Sequence, residues 1–138
     1  MKNPKTTAVL VGLGLVLVLT FGYAQGRPPM NNTSTNTFIN NTGQAVGGLT
    51  IQYSGVDLSL GVFFYQDPPG TFGNRQVDSD RQLSLSSGTV LAGGSVRITI
   101  SSPAATHIRI NKWWWTDGSG ILVGQTHNGC RNPDCTDP

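Results

Sequence analysis

The sequence predicts an all-β fold of two packed sheets, and three observations carry that expectation. Short apolar–polar alternations recur at intervals of roughly ten residues, turn-forming segments separate them, and no stretch repeats with the helical period. The turns are well supplied, with 18 glycines and 8 prolines in 138 residues. The clearest alternation is Ser95 to Ser101, where Val96, Ile98 and Ile100 interleave with Arg97, Thr99 and Ser101. A period of two gives a strand with one apolar and one polar face, and β-branched residues suit its pleat. Pro103 ends that run, because it has no N–H for a ladder.

The chain opens on a segment of different character. Lys2 and Lys5 precede the apolar run Ala8–Phe21, and Gly22-Tyr23-Ala24 places small residues at the −3 and −1 positions of a cleavage site. This is the layout of a secretory signal peptide, residues 1–24, with a mature start at Gln25. A retained membrane anchor is the alternative, and the run falls short of the ~20 apolar residues that span a bilayer. Removing Lys2 and Lys5 from nine lysines and arginines leaves seven, against seven aspartates and no glutamate. The mature chain is therefore neutral. Nucleic-acid binding, which needs concentrated positive charge, is excluded as an expectation, and little repulsion opposes self-association.

Residues 25–37, QGRPPMNNTSTNT, read as a polar linker. Asn31, Asn32 and Asn40 fit the N-x-[ST] acceptor pattern. The globular domain is expected over 38–124. Asn40-Asn41-Thr42-Gly43 is a turn, and Leu49, Ile51 and Tyr53 alternate with polar neighbours as a strand. Val56, Leu58, Leu60 and Val62 alternate again, with Phe63-Phe64-Tyr65 ending that strand or beginning another. Residues 66–80 read as a loop broken by Asp67-Pro68-Pro69-Gly70 and Gly73-Asn74. Leu83 and Leu85 mark a short strand, and Ile121–Val123 the last one after the Asp117-Gly118-Ser119-Gly120 turn. Residues 125–138 read as an irregular tail. Within the sandwich class, an immunoglobulin-like arrangement is the expected form, without the Cys…Trp…Cys spacing of antibody domains.

Trp113-Trp114-Trp115 raises a parity problem. Ile108 and Ile110 face the core, so unbroken alternation would put Lys112 and Trp114 inside and Trp113 and Trp115 outside. Either the strand bulges near Asn111–Lys112 or two tryptophans face solvent; a bulge re-aims side chains. With Trp113 and Trp115 outside, joined by Tyr53 or Tyr65, an aromatic platform would suit sugar rings or a protein surface. With Trp114 in the core, the outer two would instead cover its edge.

Cys130 and Cys135, in CRNPDC, predict a disulfide in an exported chain. The sharper alternative is a zinc site using His127 in H-x2-C-x4-C, completed by His107 or Asp134. Asp78-Ser79-Asp80 places two carboxylates on one side of an extended segment but lacks a calcium-loop pattern, and Asp57, Asp67 and Asp117 sit at turns. No nucleophile elbow appears, and a glycosidase pair would have to come from aspartates alone. The run TGQAVGGLTIQYSG, the glycine turn before SVRITIS and the Trp-Thr-Asp-Gly segment resemble, in layout, small exported bacterial β-sandwich domains. That resemblance implies no active-site residues. The expected protein is an exported, non-catalytic module, secreted, periplasmic or at the cell surface. It needs no cofactor or metal and contacts a protein partner, itself or, alternatively, a polysaccharide; a membrane enters only through an uncleaved signal segment.

Overall fold

A computed structural model describes residues 32–130 and 134–135, all within one unit spanning Asn31–Pro138. The signal-peptide expectation falls on residues outside that range. Nine strands are present among the described residues: β1 Thr33–Ile39, β2 Gly48–Ser54, β3 Phe63–Asp67, β4 Phe72–Val77, β5 Gln82–Gly88, β6 Ser95–Ser101, β7 Arg109–Thr116, β8 Leu122–Asn128 and β9 Asp134–Cys135. They form two sheets, in the orders β9-β1-β6-β3 and β4-β5-β2-β7-β8. Every pairing is antiparallel except the short β9, which lies parallel to β1.

The alternations read from the sequence point into one shared core. Leu49, Ile51 and Tyr53 of β2, Leu83 and Leu85 of β5, and Val96, Ile98 and Ile100 of β6 are all buried in it. The sheets meet through side chains: Phe38 of β1 sets its ring edge-on against Trp113 of β7, with centroids 5.2 Å apart. The architecture is all-β, two-sheeted and sandwich-like.

Several boundaries differ from expectation. The chain enters the first sheet at Thr33, inside the stretch 25–37 read as linker, because β1 hides only Asn36 and Phe38 and carries threonines on its other face. The strand expected over Val56–Val62 is a 3-10 turn at Leu58–Leu60 instead. The Asp57 carboxylate accepts from the Ser59 N–H and caps that turn, so Leu58 is buried while Leu60 is exposed. The stretch 66–80 contains β4, an edge strand exposed everywhere except Phe72. The last strand runs to Asn128, past the expected boundary at 124, and Asp134–Cys135 adds β9 beyond it.

Two edge strands are joined by one side chain. The Gln66 amide of β3 donates to the Phe72 carbonyl at 2.8 Å and accepts from the Phe72 N–H at 2.9 Å. It therefore makes the two bonds a neighbouring backbone would make, on a sheet edge that otherwise exposes such groups. Beside it, the Arg75 guanidinium lies 4.8 Å from the centre of the Phe64 ring.

Asn40, one of the glycan-acceptor positions, is fully buried at the first turn. Its amide donates to the carbonyls of Gln44 and Val90 and accepts from the Thr42 N–H and hydroxyl. In the folded protein it is a structural clamp.

Cys130 and Cys135 are disulfide-bonded, with Cα atoms 4.7 Å apart. Both sulfurs are thereby taken from the alternative zinc set. The bond ties the end of β8 to β9 and so holds β9 beside β1. A closed loop this short removes little chain entropy, so reduction is expected to lower stability by about 2 kcal/mol. The denaturant midpoint with and without reductant measures it; outright unfolding on reduction would contradict the local role.

Candidate functional site

A bulge decides which tryptophans face the core. Gln52 pairs with Lys112 while the next β2 residue, Tyr53, pairs with Ile110, leaving Asn111 as the extra residue on β7. The alternation restarts there, as the expected bulge near Asn111–Lys112 requires. Trp113 and Trp115 turn inward and are both 0% exposed, and Trp114 turns outward and is half-buried.

This corrects the aromatic platform. Trp113 is enclosed by Phe38, by Trp115 edge-on at 5.9 Å, and by the His127 ring at 4.3 Å and a 31° tilt; its Nε1 donates to the Gly129 carbonyl at 3.1 Å. Trp115 Nε1 is buried without a hydrogen-bond partner among the described residues. Tyr53 lies in the same core, and Tyr65 is exposed on β3 of the other sheet. The four predicted platform residues are not brought together, and three of them have no free face. The reading with Trp114 in the core and its neighbours as covers is inverted as well.

Burial also raises the Tyr53 hydroxyl far above the ordinary tyrosine pKa of 10.0. The neutral phenol is thus favoured in the folded state, and phenolate formation favours unfolding. Stability is expected to be unaffected by this group below pH ~10 and to fall by about 1.4 kcal/mol per pH unit above it. Denaturant midpoints of the parent and Tyr53→Phe across pH 9–11 test this, since the variant lacks that slope.

Outward from the same bulge, the five-stranded sheet presents an ordered polar surface. Trp114 pairs with Thr50, Thr50 with Ser84, and Ser84 with Gln76, which sets one row across four strands. Lys112, Gln52 and Gln82 form the row on one side. Three strand spacings by one double step give a patch about 14 Å by 7 Å. Its side chains are already bonded to one another. Gln52 donates to Gln82 at 2.8 Å, Gln82 donates to Asp78 at 2.9 Å, Gln76 donates to Asp78 at 3.1 Å, and the Ser84 hydroxyl also donates to Asp78. Asp78, one of the two carboxylates of the Asp78-Ser79-Asp80 segment, organises this network. Thr50 is buried although it faces outward, so its neighbours on the sheet cover it.

A concavity of about 370 Å³ lies between the start of β1 and the start of β7. Ser34, Asn36, His107, Arg109, Ile110 and Cys130 are among its lining residues. His107 has the left-handed backbone value φ 52°, uncommon outside glycine. The two histidines have separate surroundings: His127 stacks on Trp113 in the core, and His107 is exposed. Among the described residues no three histidine, cysteine or acidic side chains are grouped to hold a metal ion.

Fold and surface together define a two-sheet β-protein with one half-buried indole set in a bonded polar sheet face. No protein-family model matches the chain, and comparison with curated proteins and with solved structures finds no match.

Proposed function

We propose that the protein is an exported, non-catalytic β-sandwich module that works by contacting a protein partner or a second copy of itself. The observation that carries this reading is the exposed apolar edge on β3. Phe63 and Tyr65 are 62% and 47% exposed on the outer face of an edge strand, and Leu60, just before it, is 69% exposed. Contiguous apolar side chains on a sheet edge favour association. Export is supported by the layout of residues 1–24 and by the disulfide, which belongs to an oxidising compartment. Among the described residues no helix is long and apolar enough to cross a membrane.

The immunoglobulin-like refinement is supported by the inner pairings. The series β2–β5–β4 and the pair β6–β3 correspond to B–E–D and F–C of that fold, while β1 and β7 take each other's sheet relative to A and G.

The contact reading predicts that the sedimentation coefficient rises with concentration, alone or with the partner present. It also predicts that Phe63→Asp with Tyr65→Asp abolishes the rise while changing stability by under about 0.5 kcal/mol per site. A parent protein that stays monomeric and a double variant that retains every partner would remove this reading.

A further inference from the structure

We infer that the outer face of the five-stranded sheet, centred on Trp114, is a binding site for a neutral polysaccharide chain. The site lies on the sheet opposite the Phe63–Tyr65 edge and is independent of the contact proposed there.

The chemistry of the face selects the ligand. A pyranose ring has an apolar C–H side and a rim of hydroxyls, so it is matched by one flat aromatic surface with donors and acceptors around it. Trp114 supplies an outward indole, and its row continues through Thr50, Ser84 and Gln76. Thr50 lies covered beneath its neighbours, and Ser84 and Gln76 carry the neutral hydroxyl and amide that the row presents.

Two other occupants fit poorly. A protein partner needs a central apolar cluster with aromatic anchors, and this face offers one half-buried indole and, opposite Thr116, Leu122, with hydroxyls and amides along the rest of the Trp114 row. A strongly charged polymer needs a concentration of opposite charge. Here the one anion, Asp78, already accepts from Gln76, Gln82 and Ser84, and the two cations, Lys112 and Arg109, stand toward one end of the face, Arg109 opposite Ser54. The Trp114 row itself carries only neutral amides and hydroxyls.

The network also fixes the site in advance. Gln52, Gln82, Gln76 and Ser84 are held by hydrogen bonds to one another or to Asp78. Little side-chain entropy is therefore lost when a ligand replaces water on their free valences. A chain of linked sugars fits a surface about 14 Å across better than a single ring does.

The test is affinity electrophoresis of the purified protein in gels holding hydroxyethyl cellulose, laminarin, galactomannan or glycogen. At least one polysaccharide is expected to retard the parent protein and to shield its tryptophan emission from acrylamide. Trp114→Ala is expected to weaken retardation at least tenfold and to remove the shielding, with only a small fall in the denaturant midpoint. Gln52→Ala, which leaves the indole in place, is expected to weaken it several-fold and gives a second reading if the tryptophan variant does not fold. Phe63→Asp with Tyr65→Asp is expected to be retarded like the parent, so failure of the contact proposal is seen separately. Absence of retardation by all four polymers, or retardation of both Trp114→Ala and Gln52→Ala equal to the parent's, overturns the assignment.

Discussion

Replacing Trp113 with alanine is expected to destabilise the protein by about 3–5 kcal/mol, whereas the same change at Trp114 costs under about 1 kcal/mol. The contrast between adjacent identical residues follows from where the bulge at Asn111 sends them. Trp113 joins the two sheets: it meets Phe38 across the interface, Trp115 and His127 within its own sheet, and the Gly129 carbonyl through Nε1. Alanine there leaves an indole-sized void between close-packed layers and an unbonded carbonyl near the chain end. Since small domains are stable by 5–15 kcal/mol, this loss is a large fraction of the total. Urea denaturation followed by far-ultraviolet circular dichroism measures both variants. Equal losses at the two positions would contradict the assigned parity.

Asn40→Ala is expected to cost about 2–4 kcal/mol, a large effect for a side chain of its size. Its amide bonds to two carbonyls and accepts two donors. Its backbone also bonds to Gly93 and Gly94, whose turn leads into β6. One residue thus fastens the turn after β1 to the turn before its partner strand. Removing the amide strands the buried Val90 carbonyl and breaks the part-buried bonds to Thr42 and Gln44. The same denaturation experiment tests it; Asn40→Ala with a midpoint equal to the parent's would show that the clamp is dispensable.

The sequence made the interior strands legible and the edges obscure, for a physical reason. β2, β5 and β6 have a neighbour on each side and a face in the core, so burial imposes the alternation at Leu49–Tyr53, Leu83–Leu85 and Val96–Ile100. β4 is an edge strand whose residues after Phe72 are exposed, so no apolar period marks it. β1 buries an asparagine where a strand usually buries a hydrocarbon, and its threonines, good strand formers, read as polar linker. At Val56–Val62 the alternation is real, but the Asp57 cap and Gly61, at φ 84°, turn the backbone before it extends.

The candidate surface was half legible. A bulge near Asn111–Lys112 was one of two resolutions of the clash between the isoleucine parity and the tryptophans, the other being two solvent-facing indoles. Applying that one-residue shift through the triplet points to Trp114 as the outward indole. The polar partners of Trp114 were not recoverable, because Gln76, Gln82 and Asp78 meet Gln52 only through the β5–β2 and β4–β5 registers. No local pattern encodes those registers. The disulfide, by contrast, was readable from spacing and compartment, and it forms.

The central claim is that the bulge turns one tryptophan out and two in. Acrylamide quenching of the parent and of three variants, Trp113→Phe, Trp114→Phe and Trp115→Phe, tests it most directly. The account predicts a mainly blue-shifted emission with one quenchable component, which disappears in Trp114→Phe and persists in the other two. Loss of that component in Trp113→Phe or Trp115→Phe, with Trp114→Phe unchanged, would place the bulge elsewhere and return those residues to the surface.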